Sequence, residues 1–319
     1  MAKFLHCAKF LIAAFFLSSQ VYAKELTILV YDMADGITAN AQIVAKYISK
    51  YDPEITNVIF KEIPNSNGIS LMNYLYTVSS KNGYEIAAIP WNVFSAKLTN
   101  KNLTFKLQNF MWLGSNIDGR EQPLILWHNK LSTELIAGSE VTQNFTRFSF
   151  INYTLHKNIK EIKGYQNSSV LRMAFERGEV SLMVNNLAGI KTIAPQWLSD
   201  PNIEPIIQYG NGKNRSVDYP NVPTLSELAT TKEDLELINY YELQSAILRP
   251  FVAPPNADEK QIFKLRNALW SVFNDQDFIA EVKKRGIDGK PMDWKTCENI
   301  VNMMVSADPA IVARFSQIK

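Results

Sequence analysis

The sequence predicts an α/β chain of two domains, each a mostly parallel sheet flanked by helices, and three observations carry that expectation. A strand, turn, helix pattern repeats from Leu26 and begins again after about Asn129. The 319 residues exceed what one core fills, so two domains of roughly 150 residues are expected. Arg249 to Pro255 reads Arg-Pro-Phe-Val-Ala-Pro-Pro, an apolar segment fenced by prolines. Pro250 forbids a helix from running through it and Pro254-Pro255 ends any strand, so it is a short extended piece crossing between two bodies.

Met1 to Ala23 is set apart. Lys3 and Lys9 precede an apolar run from Phe10 to Leu17, and Val21-Tyr22-Ala23 ends in a small residue. This reads as a cleaved secretory signal, too short for a permanent membrane anchor; the alternative is a core helix. Its removal takes two lysines and no acids, which leaves 31 basic against 31 acidic residues. A balanced chain without a basic run argues against nucleic acid and against a polybasic membrane surface. Cys7 leaves with the signal, so Cys297 has no disulfide partner, and as a small hydrophobe beside Val301 and Met304 it is expected to be buried rather than reactive.

Leu26 to Tyr31 is an apolar strand, and Asp32 to Thr38 turns into a helix with Ala41, Val44, Ala45 and Ile48 on one face. Asn57 to Ile63 is the second strand, Pro64 to Gly68 its turn, and Leu71, Tyr74, Leu75 and Val78 mark the next helix. Glu85 to Ile89 is a third strand ending in Pro90-Trp91-Asn92, followed by strands at Phe110 to Ser115 and Leu124 to His128. In the second domain, strands are expected at Leu135 to Ala137, Ile159 to Gly164, Val180 to Val184 and Ile203 to Tyr209, with a helix over Val170 to Glu176 stopped by Gly178 and a partly helical Ile190 to Trp197. Asn144 to Asn152 is polar and aromatic without a clear period, and Tyr219 to Leu228 is a proline-rigid loop entering a helix. Past the crossing, Asn256 is the expected cap of a helix buried through Ile262, Leu265, Leu269 and Val272. Phe278 and Val282 mark another ending at Gly286, Asp293 caps a third, and Pro309 opens a last short one. The crossing is expected to pair with Leu124 to Asn129 as a two-stranded hinge.

Catalytic patterns are weak. Only His128 and His156 remain outside the signal, and there is no His-Glu-x-x-His, nucleophile elbow or phosphate-binding glycine loop. Clustered metal ligands are absent from the sequence pattern, so neither metal nor cofactor is expected. Asp32 and Asp35 as an acid/base pair is the remaining enzymatic reading, against which a solvated turn is preferred. In a parallel sheet, loops beyond the strand C-termini face one crevice, so Asn92, Asn185 and Asn186 are candidate hydrogen-bonding groups and Trp91 a candidate wall; ordinary turn chemistry and interdomain packing are the alternatives. Asn102, Asn144, Asn152, Asn167 and Asn214 open glycosylation-type triplets, meaningful only in a eukaryotic secretory path.

Ala174-Phe-Glu-Arg-Gly-Glu-Val-Ser-Leu-Met183, Tyr219-Pro-Asn-Val-Pro-Thr-Leu-Ser-Glu-Leu228 and Arg249 to Pro255 carry a resemblance. With Lys81-Asn-Gly-Tyr84, Asn267-Ala-Leu269, Asp277-Phe278 and Lys284-Arg-Gly286, the chain resembles the solute receptors of tripartite tricarboxylate transporters, the Bug-type receptors. No single piece is specific; the ordered set covers nearly all the chain after the signal. The resemblance implies a periplasmic, monomeric, non-enzymatic clamshell of the type II-like class, with 24–125 plus 250–319 as one lobe and 126–249 as the other. It implies a small organic ligand, a carboxylate or related polar metabolite, held between the lobes and delivered to a membrane permease; a sensor subunit docking on a signalling receptor is the alternative, and an exported enzyme a weaker one. The implied ligand loops are Asp32, Met33, Ala34, Asp35, Gly36 and Thr38; Asn65, Ser66, Asn67 and Gly68; and, from the other lobe, Gly138, Ser139, Asn185 and Asn186. Family first turns are glycine-rich and free of acids, whereas Asp32 and Asp35 flank this one, and two carboxylates there repel an anion. That widens the expected ligand range to neutral, amine-bearing or aromatic molecules. Arg249 either neutralises an anionic ligand or anchors the hinge by pairing with an acid, the latter being preferred.

Overall fold

Runs such as Leu26–Val30, Ile125–Trp127 and Phe251–Ala253 are apolar on both faces and almost wholly buried. Strands of that kind need a sheet neighbour on each edge and a helix layer on each face. The computed structural model describes residues 23–318 except 65–67, 101, 122–123, 141–145, 211–214 and 288, and in it those runs are the inner strands of two five-stranded sheets.

The first sheet contains β1 (Lys24–Val30), β2 (Ile55–Glu62), β3 (Glu85–Ala88), β4 (Met111–Ser115) and β10 (Pro250–Ala253), in the order β2-β1-β3-β10-β4. The second contains β5 (Leu124–Asn129), β6 (Ile136–Ser139), β7 (Lys160–Lys163), β8 (Leu182–Asn186) and β9 (Ile203–Gln208), in the order β7-β6-β8-β5-β9. The two orders are the same pattern. In each sheet four strands run parallel and one runs against them: β10, antiparallel to β3 and β4, and β5, antiparallel to β8 and β9. Both reversed strands directly follow a passage of the chain from one sheet to the other.

Helices α1 (Gly36–Tyr51), α2 (Ile69–Thr77) and α3 (Asn92–Thr99) follow β1, β2 and β3. In the second unit α4 (Arg147–Thr154), α5 (Ser168–Glu176) and α6 (Leu187–Ile193) follow β6, β7 and β8, and α7 (Leu225–Leu228) and α8 (Lys232–Ala246) follow β9. After β10 come α9 (Glu259–Phe273), α10 (Gln276–Lys283), α11 (Trp294–Val305) and α12 (Pro309–Phe315). Asp293 caps α11 as its sequence predicts, and Cys297 is buried in that helix, where burial pushes its thiol pKa up.

Four expectations change. β10 and β5 lie in different sheets and do not pair, because a fully buried apolar strand is satisfied by two neighbours in its own core. The crossing segments meet instead at an antiparallel bridge between Asp118 and Ile247, so tightly that a Cβ on Gly119 would lie 2.0 Å from the Ser245 carbonyl oxygen. Asn256 does not cap α9: it takes a left-handed φ of 58°, and Asp258, two residues on, accepts from the Gln261 amide at 2.8 Å. Pro254-Pro255 hold the chain extended and Asn tolerates the left-handed turn that follows. The stretch around Asn144–Asn152 contains α4, started by a Thr146–Ser149 capping box. Finally, the chain does not stay with the first sheet to its end: Phe315 and Ile318 pack among Phe150, Tyr240 and Tyr241 of the second sheet's core, and Arg314 reaches Asp234 of α8 at 3.0 Å.

Candidate functional site

The C-terminal ends of the parallel strands hold the residues that sequence reasoning favours. Beyond β1, Asp32 Oδ1 accepts from the Ala34 amide at 2.8 Å, and its carbonyl accepts from Thr38 Oγ1 at 2.6 Å. Asp35 caps α1 through the Ile37 amide at 2.7 Å, which places its charge at the positive end of the helix. Tyr31 is bonded to Asp35, and burial followed by the Asp35 and Asp32 carboxylates pushes its hydroxyl pKa far up, so it stays protonated. Met33 and Ala34 are exposed, Gly36 is exposed, and Thr38 is fully buried. The two acids therefore serve the turn itself.

Arg249 donates from Nη1 to the Gly36 carbonyl at 2.9 Å. Burial lowers its pKa, while the fields of Asp35 and Tyr31 act in the opposite direction. The anchor reading is thus the one its geometry supports, although the bond goes to a backbone carbonyl. Gly68, at φ 89°, sits against Pro90, whose ring would lie 2.7 Å from a Cβ there. Asn65, Ser66 and Asn67 lie outside the described residues. Asn92, expected as a loop residue, is the first residue of α3, and Trp91 precedes it, half-buried against the first sheet's core.

On the second sheet, Asn185 is still in β8 opposite Ile125; its carbonyl accepts from Trp127 Nε1 at 3.3 Å and its Oδ1 from the Asn186 amide at 2.8 Å. Asn186 caps α6, accepting from the Gly189 amide at 2.6 Å. Both side-chain oxygens serve local structure, which leaves the amide NH2 donors for other partners. Gly138 is packed rather than open: a Cβ there would lie 2.3 Å from Leu171 Cδ1. Ser139 turns the chain by accepting from the Gly164 and Tyr165 amides through its carbonyl.

The two edges meet. Arg147, at the start of α4 beyond β6, lies with its guanidinium carbon 5.2 Å from the centre of the Trp91 ring. Ser95 of α3 and Gln244 of α8 share a buried hydrogen bond of 2.6 Å, and Gly286 after α10 approaches the Gly189 end of α6. Sequence reasoning missed Arg147, since it opens a helix from a stretch without period and its partner is 56 residues away in sequence. A depression of about 650 Å³ lined by Met111, Phe263 and Arg266 lies elsewhere, along α9; two basic groups on its wall are already engaged, Lys264 with Glu54 and Arg266 with Glu298, each at 2.6 Å.

Neither a family model nor a curated protein matches this sequence. Solved structures do match. A TctC solute-binding protein from Polaromonas superposes with TM-score 0.62 at 11% identity, over 92% of this chain and 97% of its own. This chain has the TctC/Bug-type fold. The periplasmic binding protein BugD matches at TM-score 0.61 and 15% identity over 92% and 98% of the two chains, and MatC of Rhodopseudomonas palustris, solved with bound malate, at 0.58 and 12% over the same shares. Within that fold the crevice between the two edges is where the strand ends converge.

Proposed function

We propose that this protein is a periplasmic solute-binding receptor that closes two lobes on a small organic molecule, a carboxylate or related polar metabolite, and presents it to a tripartite tricarboxylate-type permease. The observation that carries the reading is the meeting of two matching strand-end edges, with Arg147 of one over Trp91 of the other. The lobes are 24–125 with most of the segment from 250, and 126–249 with the final helix. MatC with malate and an R. palustris relative of the same fold with adipate support a carboxyl-bearing ligand. Met1 to Ala23 acts as the export signal, and the receptor works as a monomer, binding without making or breaking a bond. Ligand is held by the Asp32–Thr38 and Asn65–Gly68 turns and Trp91–Asn92 on one side, and by Ser139, Asn185 and Asn186 on the other.

The test is thermal unfolding in the presence of small mono- and dicarboxylates, hydroxy acids and amino acids. A ligand at a hundred times its Kd stabilises the folded state by about 2.7 kcal/mol, enough to raise Tm by several degrees. A flat response to every compound would overturn the receptor reading.

A further inference from the structure

The chain passes between the lobes a third time, near its C-terminal end, and this passage is short. α11 belongs to the first lobe, where Cys297, Ile300, Val301 and Met304 are buried in one core. Ala307 already packs against the core of the second lobe, and Ile311, Val312 and Phe315 follow it there. Ser306 ends α11 with its amide on the Asn302 carbonyl, and Asp308 starts α12 by accepting from the Ala310 amide at 2.8 Å. Both helices are therefore capped up to the crossing, and Pro309, the first residue of α12, keeps the two from fusing into one. Met304 to Ala307 spans at most about 11 Å even when fully extended.

The far end of the crossing is firmly seated. Phe315 is fully buried, with its ring centre 5.6 Å from that of Tyr240 and 6.4 Å from those of Phe150 and Tyr241. Arg314 donates to Asp234 Oδ1 at 3.0 Å and lies over the Tyr153 ring. Asp234 is 1% exposed and also meets Thr231 and His156, so releasing α12 takes a charged partner from a buried carboxylate. α12 lies against α3 of the first lobe as well. The other two crossings run together at the Asp118–Ile247 bridge.

We propose that α12 is a strap that limits how far the crevice opens: it travels with the second lobe, α11 stays with the first, and the Val305–Ser306 link between them checks their separation. This rests on the receptor reading and gives the C-terminal helix a part in its motion. Lobes joined only by two adjacent crossings turn about the Asp118–Ile247 bridge. A third crossing, capped on both sides and seated in a core at each end, stops that turn unless the end of α11 unwinds or Phe315 leaves its core. Opening is therefore small, and the contacts that part first are α12 with α3 and Ser95 with Gln244.

The experiment lengthens the strap without touching its seat. Gly-Ser-Gly-Ser is inserted after Ser306 in the whole protein, and spin labels are carried by Val78→Cys on the first lobe and Leu131→Cys on the second, positions 63% and 62% exposed. Cys297 is buried and takes no label. Without ligand, the uninserted chain is expected to give one narrow distance distribution, and the insertion, which adds up to about 14 Å of reach, to shift or broaden it by roughly 5 Å or more. A broad distribution without the insertion, or equal distributions with and without it, would overturn the strap. If the inserted chain does not fold, amide hydrogen exchange of the wild type decides. The Ser316 and Ile318 amides are expected to exchange within about a hundredfold of the Tyr241 amide of α8, and faster exchange would mean that α12 is not seated and overturn the strap. Equal distances leave the ligand screen, and with it the receptor reading, untouched; a flat screen overturns the receptor and leaves the distances standing.

Discussion

The two lobes share one topology and are filled with different chemistry. Around the first sheet the core is mainly aliphatic, with Ile28, Val44, Ile86, Leu265 and Val272 in one cluster and Leu71, Leu75 and Val301 in another. On one face of the second sheet it is aromatic: Phe150 stacks on Tyr241 at 4.2 Å, and Phe148, Tyr209, Tyr240 and Phe315 fill the same cluster. On its other face Trp127, Phe175 and Trp197 pack together. Aromatic rings fill volume with few residues, but tyrosine brings a hydroxyl that must be satisfied, and those of Tyr209 and Tyr240 are buried without a partner. The lesson is that a topology sets where strand ends point, while the core beneath decides how polar the ground under them is. In the second lobe, polar groups extend from the core up to the crevice.

The strongest way to break this comparison is to remove a ring. Phe150 is fully buried against Tyr241 and near Phe315, so Phe150→Ala is expected to cost about 3–5 kcal/mol in urea unfolding. Ile86→Val in the aliphatic core is expected to cost about 1 kcal/mol. A loss below about 2 kcal/mol for Phe150→Ala would show that the tyrosines close over the gap, making the aromatic core the more adaptable of the two.

A second test uses the polar groups buried in the second lobe. Glu242 of α8 is bonded to Ser226 and the Gly210 amide, and burial pushes its carboxyl pKa up to about 7 from the ordinary 4.5. Between those values the folded chain keeps a proton that the unfolded chain gives up, so stability falls as pH rises from 4.5 to 7 and is level above. The shift corresponds to at most about 3 kcal/mol. Glu242→Gln is therefore expected to match the wild type near pH 4.5 and exceed it at pH 8, as read from urea midpoints at the two pH values. Parallel pH profiles for the two proteins would remove Glu242 as a source of the dependence.

The same contrast decides what the sequence reveals. Strands of the first sheet are legible because Leu26 to Tyr31 and Glu85 to Ile89 are short, mostly apolar runs that end at turn residues, and α11 is legible because Asp293 precedes a clean stripe of Cys297, Ile300, Val301 and Met304. α8 escapes sequence reading. It buries Asp234 and Gln244 beside Leu237, Ile238 and Tyr241, so no apolar stripe stands out, and those polar residues find their partners in distant His156, Arg314 and Ser95. At the crevice, Asn185, Asn186 and Trp91 are legible because polar and aromatic residues at strand ends have a reason to be there. Arg147 is not, since its meaning lies in what the fold sets beside it, the Trp91 ring of the other lobe.

The smallest expected effect is also the sharpest test of that division between local structure and crevice. Asn186 caps α6 through Oδ1, and an aspartate offers the same oxygen to the Gly189 amide, with a charge the helix N-terminus tolerates. Asn186→Asp is therefore expected to change stability by less than about 0.5 kcal/mol, measured by urea unfolding without ligand. Such a result leaves the amide NH2 with no structural role, as expected of a donor kept for something outside the chain. A loss above about 1 kcal/mol would mean that the NH2 group, or the absence of charge, is part of the fold, and the second lobe's edge would then be built as the first is, with its polar side chains consumed by the turns that present them.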